Sequence, residues 1–180
     1  FFIEMKETAQ KYKRQTASRY LPVGAQEITS KIMEAESYGV STKHDGHFYL
    51  LRFDGIKATL TNHGGTVIDD LPLLKEASAL LKDTCKAIVL AGELYLHKEG
   101  GRTRSFDMTA ALDDKSADIH FAAFDLLSLD GEDISMDIKA LDEKLNAVLS
   151  GGESIHAVKN SFVESRKDIA ALYKEIVEDG

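Results

Sequence analysis

The 180-residue chain has no tryptophan, one cysteine and two prolines. A lone thiol, Cys85, cannot close an internal disulfide, which points to a reducing, cytoplasmic setting. Beside an apolar run, Cys85 is expected in the core. No apolar stretch approaches the roughly 20 residues needed to cross a bilayer, so no membrane partner is expected. No basic segment followed by an apolar one opens the chain, and Phe1-Phe2-Ile3 points to a natural start upstream. Repeats and low-complexity tracts are missing as well. With 22 basic against 30 acidic residues the net charge is -8, which speaks against wholesale coating of nucleic acid but leaves room for a local basic cleft. Six histidines stand without HExxH or CxxC company, which argues against a structural zinc site.

What is present is globular: 43% hydrophobic and 29% charged residues. Residues 3–18 carry Ile3, Met5, Ala9 and Tyr12 at loose helical spacing and predict a solvated helix, broken at Tyr20-Leu21-Pro22-Val23-Gly24. Residues 1–24 are therefore expected to form an N-terminal helical extension to a domain over 25–180. Helices are predicted at Glu27–Ser37, Leu71–Leu81, Ile138–Leu149 and Arg166–Val177. Strand signals run over His47–Phe53 and Ile56–Thr61, hinged at Asp54-Gly55, then Ala87–His97 and Ile119–Leu127. A return strand, Arg102–Phe106, is predicted after a turn at Gly100-Gly101, and a short strand near Ala157–Val163. Hairpins mixed with separate helices predict an α+β fold with antiparallel-rich sheets and flanking helices.

Three patches carry chemistry: Lys43-His44-Asp45-Gly46, then Ala91-Gly92-Glu93-Leu94-Tyr95, then Phe121-Ala122-Ala123-Phe124-Asp125-Leu126-Leu127. Glu93 follows Lys43 by 50 residues, and Phe124 follows Glu93 by 31. Read from the residues alone, Lys43 is equally a surface lysine before an Asp-Gly turn. Glu93 is a carboxylate in an apolar strand that calls for a partner, and Phe124 is ordinary core.

In this order the patches resemble the KxDG, GEL and FD(I/L)L motifs of the nucleotidyltransferase domain of ATP-dependent DNA ligases, over about Val40 to Leu149. The resemblance implies an ATP-grasp-like nucleotidyltransferase domain. Lys43 would be the catalytic nucleophile, forming lysyl-AMP from ATP and passing AMP to a DNA 5′-phosphate for nick sealing. It further implies that Glu93 binds the ribose hydroxyl, that Phe124 stacks on adenine, and that Ser41, Thr42, His44, Asp45 and Gly46 surround the nucleotide. Mg²⁺ is expected with the ATP, since displacement at phosphorus needs a cation to offset charge on the leaving pyrophosphate; its protein ligands are unknown.

Two positions depart from the family pattern. Phe48 stands where a basic residue is usual, and Asn62 replaces the arginine of a Ser-Arg-x-Gly segment, here Thr61-Asn62-His63-Gly64. Asn62, His63, Arg52, Arg102 and Arg104 are the candidate phosphate or DNA contacts, with Lys98 at the same predicted hairpin tip and Lys11, Lys13, Arg14 and Arg19 as a second basic stretch. The expected partner is nicked double-stranded DNA and the expected state a monomer. The family's later EGxxxK-type motif falls due near Glu178-Asp179-Gly180, so the domain is expected to be incomplete at its C-terminus, with a further C-terminal domain in the full protein. RNA ligases and mRNA-capping guanylyltransferases share the lysyl-nucleotide step and stay open as alternatives. So does a degenerate domain that binds nucleotide without ligase chemistry.

Overall fold

The computed structural model describes residues 2–99, 104–114 and 116–179. In chain order the elements are α1 (Phe2–Ala17), a 3₁₀ turn (Ala25–Glu27), α2 (Ile28–Lys31), β1 (Tyr38–Val40), β2 (His47–Phe53) and β3 (Ala58–Thr61). Next come β4 (Val67–Ile68), α3 (Pro72–Leu81), β5 (Ile88–Leu96), α4 (Ser105–Asp113) and β6 (Ile119–Leu129). The chain continues through β7 (Glu132–Asp133), α5 (Ile138–Val148), β8 (Ile155–Ala157), β9 (Ser161–Val163) and α6 (Arg166–Asp179). It divides into two compact units: residues 1–15 with 43–158, and residues 16–42 with 159–180.

The larger unit is built on a sheet in the order β4-β3-β2-β5-β6-β7, with β8 added beside β6. Every pairing is antiparallel except β6–β8. Period-2 alternation sends Tyr49, Leu51 and Phe53 of β2, Leu90 and Leu94 of β5, and Phe121 of β6 to one face. There they meet Leu73, Leu74, Ala77 and Leu81 of α3, Met108 and Ala111 of α4, and Leu141, Leu145 and Val148 of α5. Gly92 is required in this layer, because a Cβ there would come within 2.4 Å of the Phe121 ring and 2.5 Å of the Ala122 carbonyl. The opposite face carries Leu50 and Ala91, covered by Met5, Ala9 and Tyr12 of α1. The α+β class, with antiparallel sheets and flanking helices, is as the sequence predicts.

The smaller unit pairs β1 with β9 antiparallel, Tyr38 opposite Val163, alongside α2 and α6. Here the helix predicted over 27–37 is cut short. Ile32 turns extended (φ -70°, ψ 130°), and its carbonyl accepts from Arg166, 3.2 Å away. The Tyr38 hydroxyl donates to the Met33 carbonyl and accepts from the Ala35 amide, both at 2.8 Å. The distant Arg166 and the nearby Tyr38 thus take backbone groups that a longer helix would have satisfied internally.

Three further predictions are corrected. The strand at 102–106 is replaced, in its described part, by the start of α4, which buries Met108 and Ala111 at helical spacing. The single strand near 157–163 is two short ones, β8 and β9, which pair in different sheets. Cys85 is half-buried, packed against the main core with its thiol 3.8 Å from the Leu81 carbonyl, and burial raises its pKa.

Candidate functional site

Lys43, His44, Asp45 and Gly46 form the irregular segment that leads into β2. Two contacts fasten this loop to the sheet. The Gly46 amide donates to Glu93 Oε1 at 3.1 Å. The His44 ring stacks on Tyr95, with centroids 4.2 Å apart and planes at 18°. Gly46 passes so close to β5 that a Cβ would sit 2.1 Å from the Leu94 carbonyl oxygen, a place only glycine fits.

The Lys43 ammonium lies 3.9 Å from Glu93 Oε1, and its side chain is 74% exposed against 14% for Glu93. It also donates to the His44 carbonyl at 3.4 Å. Burial raises the pKa of Glu93, opposed by the Lys43 charge and the Gly46 amide. Asp45 is exposed, and its charge adds to the upward shift.

Phe124 shares the face of Glu93, since Ala122, two residues before it, pairs with Glu93, and it stands at an irregularity in β6. Ala123 pairs with Gly92 but Asp125 pairs with Ala91, so Phe124 is an inserted bulge residue. The insertion turns the next residue, Asp125, to that face as well, where strict alternation would have sent it to the main core. The half-buried Phe124 ring packs with Tyr95, Ala122 and Val158 on one side. Phe48 lies 6.4 Å away on the other, centroid to centroid. Phe48, the departure from the family's basic residue, stands directly opposite Glu93 in the β2–β5 register.

Histidines beside Lys43 form a cluster that motif reading did not find. His156 Nδ1 faces the Ala157 carbonyl at 3.0 Å, which makes Nδ1 the protonated nitrogen and leaves Nε2 to accept from the Tyr95 hydroxyl at 2.7 Å. His97 stacks on His120 at 4.6 Å, and His120 contacts Asp118 at 2.9 Å. Burial lowers the pKa of His44, helped by the charges of His156 and Lys43. The available signal was the two-residue spacing of Tyr95, opposite His120 of β6, and His97, just past the end of β5. Among the described residues, no three of His, Cys, Asp or Glu converge as metal ligands.

Asn62 serves a turn: its side-chain oxygen accepts from the Thr66 amide at 2.9 Å and its amide donates to the Tyr49 hydroxyl at 3.4 Å. His63 meets Lys13 at 3.1 Å, and its carbonyl accepts from Gln10. Arg52 is half-buried on β2, 3.9 Å from Asp54. Arg104 is exposed at the start of α4, where its amide donates to Asp107 and Asp107 also pairs with Lys98 at 3.1 Å. Arg102 lies outside the described residues, as do Gly100 and Gly101. Ser41 and Thr42 are exposed and belong to the smaller unit.

The fold is that of a ligase nucleotidyltransferase domain. The ligase domain of M. tuberculosis LigD superposes with a TM-score of 0.63 at 21% identity, over 86% of this chain and 48% of that one. The bacteriophage T7 ATP-dependent DNA ligase, solved with ATP, gives 0.57 at 16% identity, over 87% and 57%. The chain itself belongs to the ATP-dependent DNA ligase domain family, whose model matches residues 22–180. A DNA ligase from Archaeoglobus fulgidus is 24% identical over 167 residues. That match takes in 87% of this chain and 29% of the archaeal protein, so the chain spans under a third of its relative.

Proposed function

We propose that this chain is the adenylating part of an ATP-dependent DNA ligase, with Lys43 as nucleophile. The observation that carries the reading is the Lys43 amine 3.9 Å from Glu93 on the sheet face that also presents Phe124. Once deprotonated, Nζ attacks the α-phosphorus of ATP. A P–N bond forms, the bond from that phosphorus to the bridging oxygen breaks, and pyrophosphate leaves while the amine releases a proton to solvent. The Glu93 carboxylate accepts a hydrogen bond from the ribose, Phe124 stacks on adenine, and His44 and Gly46 hold the loop against β5. An oxygen of a DNA 5′-phosphate then displaces Lys43 from the adenylate phosphorus, and the 3′-hydroxyl of the nick displaces AMP. Mg²⁺ would arrive with the ATP and offset charge on the leaving pyrophosphate.

Support comes from the family match, from solved relatives that hold ATP, and from the three motifs meeting on one sheet face. Incubation of the full-length protein that carries this chain with MgATP or MgGTP, followed by peptide mass spectrometry, is the test. The expected result is an AMP adduct on Lys43 and no GMP adduct. An adduct mapped to any other residue overturns the mechanism.

A further inference from the structure

The aromatic cluster at Phe124 extends into a helix outside the stretch matched to the family. That match begins at residue 22, whereas α1 ends at Ala17. On α1, the Tyr12 ring lies parallel to Phe48, at 5.6 Å and 4°. It also stands 6.4 Å from Phe124 at 33°. Its hydroxyl donates to Asp125 Oδ2 at 2.7 Å, while Oδ1 of the same carboxylate accepts from the Leu126 amide at 2.8 Å. The helix is held farther along by Gln10 on the His63 carbonyl and Lys13 on the His63 ring. Met5 and Ala9 are buried beneath it.

These contacts bear on a residue whose direction the strand ladder does not set. Phe124 is the inserted residue of the bulge and has no partner across β5, so its ring is aimed by what packs on it and by its neighbour Asp125. Tyr12 acts on both: its ring borders Phe124, and its hydroxyl ties down Asp125.

We infer that Tyr12 is a positioning residue for nucleotide binding, holding Phe124 in the orientation that receives the purine base of ATP. The inference rests on the reading of Phe124 as the adenine platform.

The test is a double-mutant cycle on the 180-residue chain carrying Lys43→Ala to block chemistry, with ATP affinity measured by calorimetric titration and folding by circular dichroism. Tyr12→Phe keeps the ring and removes the tie to Asp125. It is expected to weaken ATP binding about 2- to 10-fold, the range of one net hydrogen bond, with the fold unchanged. Phe124→Ala is expected to weaken it about 5- to 150-fold, as loss of one stacked base would. In the Phe124→Ala background Tyr12→Phe should have no further effect, a coupling that a merely structural role would not produce. Tyr12→Phe binding as tightly as its parent, or weakening binding equally in both backgrounds, overturns the inference while leaving the function intact. ATP binding indifferent to Phe124→Ala, or no binding by the parent, overturns the reading of the site itself.

Discussion

The Gly46 amide and the Glu93 carboxylate, 47 residues apart in sequence and 3.1 Å apart in space, join the Lys43 loop to strand β5. Because Glu93 is largely buried, that junction holds a charge that the fold would sooner keep neutral.

Glu93→Gln should therefore separate stability from binding. The glutamine oxygen can still accept from Gly46, and the Lys43–Glu93 pair it removes, with its exposed amine, is worth about 0–1 kcal/mol. Burial sets the Glu93 pKa above its unfolded value, so the native state holds the proton more tightly. Stability is then greatest below the ordinary Glu range and declines as pH rises through the raised pKa. Thermal melts should show the variant matching or exceeding the parent at neutral pH, with the advantage vanishing in acid. ATP binding should fall about 10- to 100-fold, the loss of one hydrogen bond to a charged acceptor.

Gly46→Ala should detach the loop. Its Cβ would stand 2.1 Å from the Leu94 carbonyl, an overlap that costs about 1–3 kcal/mol or forces the segment outward. The expected outcome is a lower melting temperature together with loss of adenylation. Unchanged values for both would show that the loop is not held where it is drawn.

Lys43→Arg should abolish the AMP adduct without altering the fold. A guanidinium stays charged at every relevant pH and cannot serve as the nucleophile. Intact-protein mass spectrometry checks this, and an adduct that survives would assign the chemistry elsewhere.

His44→Phe should flatten the acid side of the stability profile. Burial, with the charges of His156 and Lys43, lowers the His44 pKa below its reference value of 6.5. Its contribution is present above that value and lost as pH falls through the lowered one. Phenylalanine keeps a ring over Tyr95 but does not ionise. Melting temperatures between pH 7 and pH 5 should therefore drop less in the variant than in the parent.

Much of the main sheet is legible in the sequence because its strands are bounded by turn chemistry. The predicted span of β2 matches the structure, and β5 and β6 differ only at their ends. The adjacency of Lys43, Glu93 and Phe124 was legible only through motif resemblance, since alternation alone does not bring residues on three segments together. The docking of α1 was not legible: Met5, Ala9 and Tyr12 make a narrow apolar stripe on a polar helix, and nothing local says what it covers. The start of α4 misled because Arg104-Ser105-Phe106 has no helical periodicity of its own. The helix commits only where Met108 and Ala111 find the core.

The irregularity at Phe124 has a twin. Leu126 pairs with Leu90 and Ser128 with Val89, so Leu127 is a second inserted residue, and the eleven residues of β6 run beside the nine of β5. One insertion alone would leave the rest of the strand one position out of phase, sending Leu129 past Ile88. The second restores the phase, and Leu126 and Leu129 stay with the main core. The length of this segment is thus a parity constraint. A single-residue deletion near Phe124 would disturb an edge that never touches nucleotide, whereas paired changes could move the aromatic ring and leave the rest of the sheet in step.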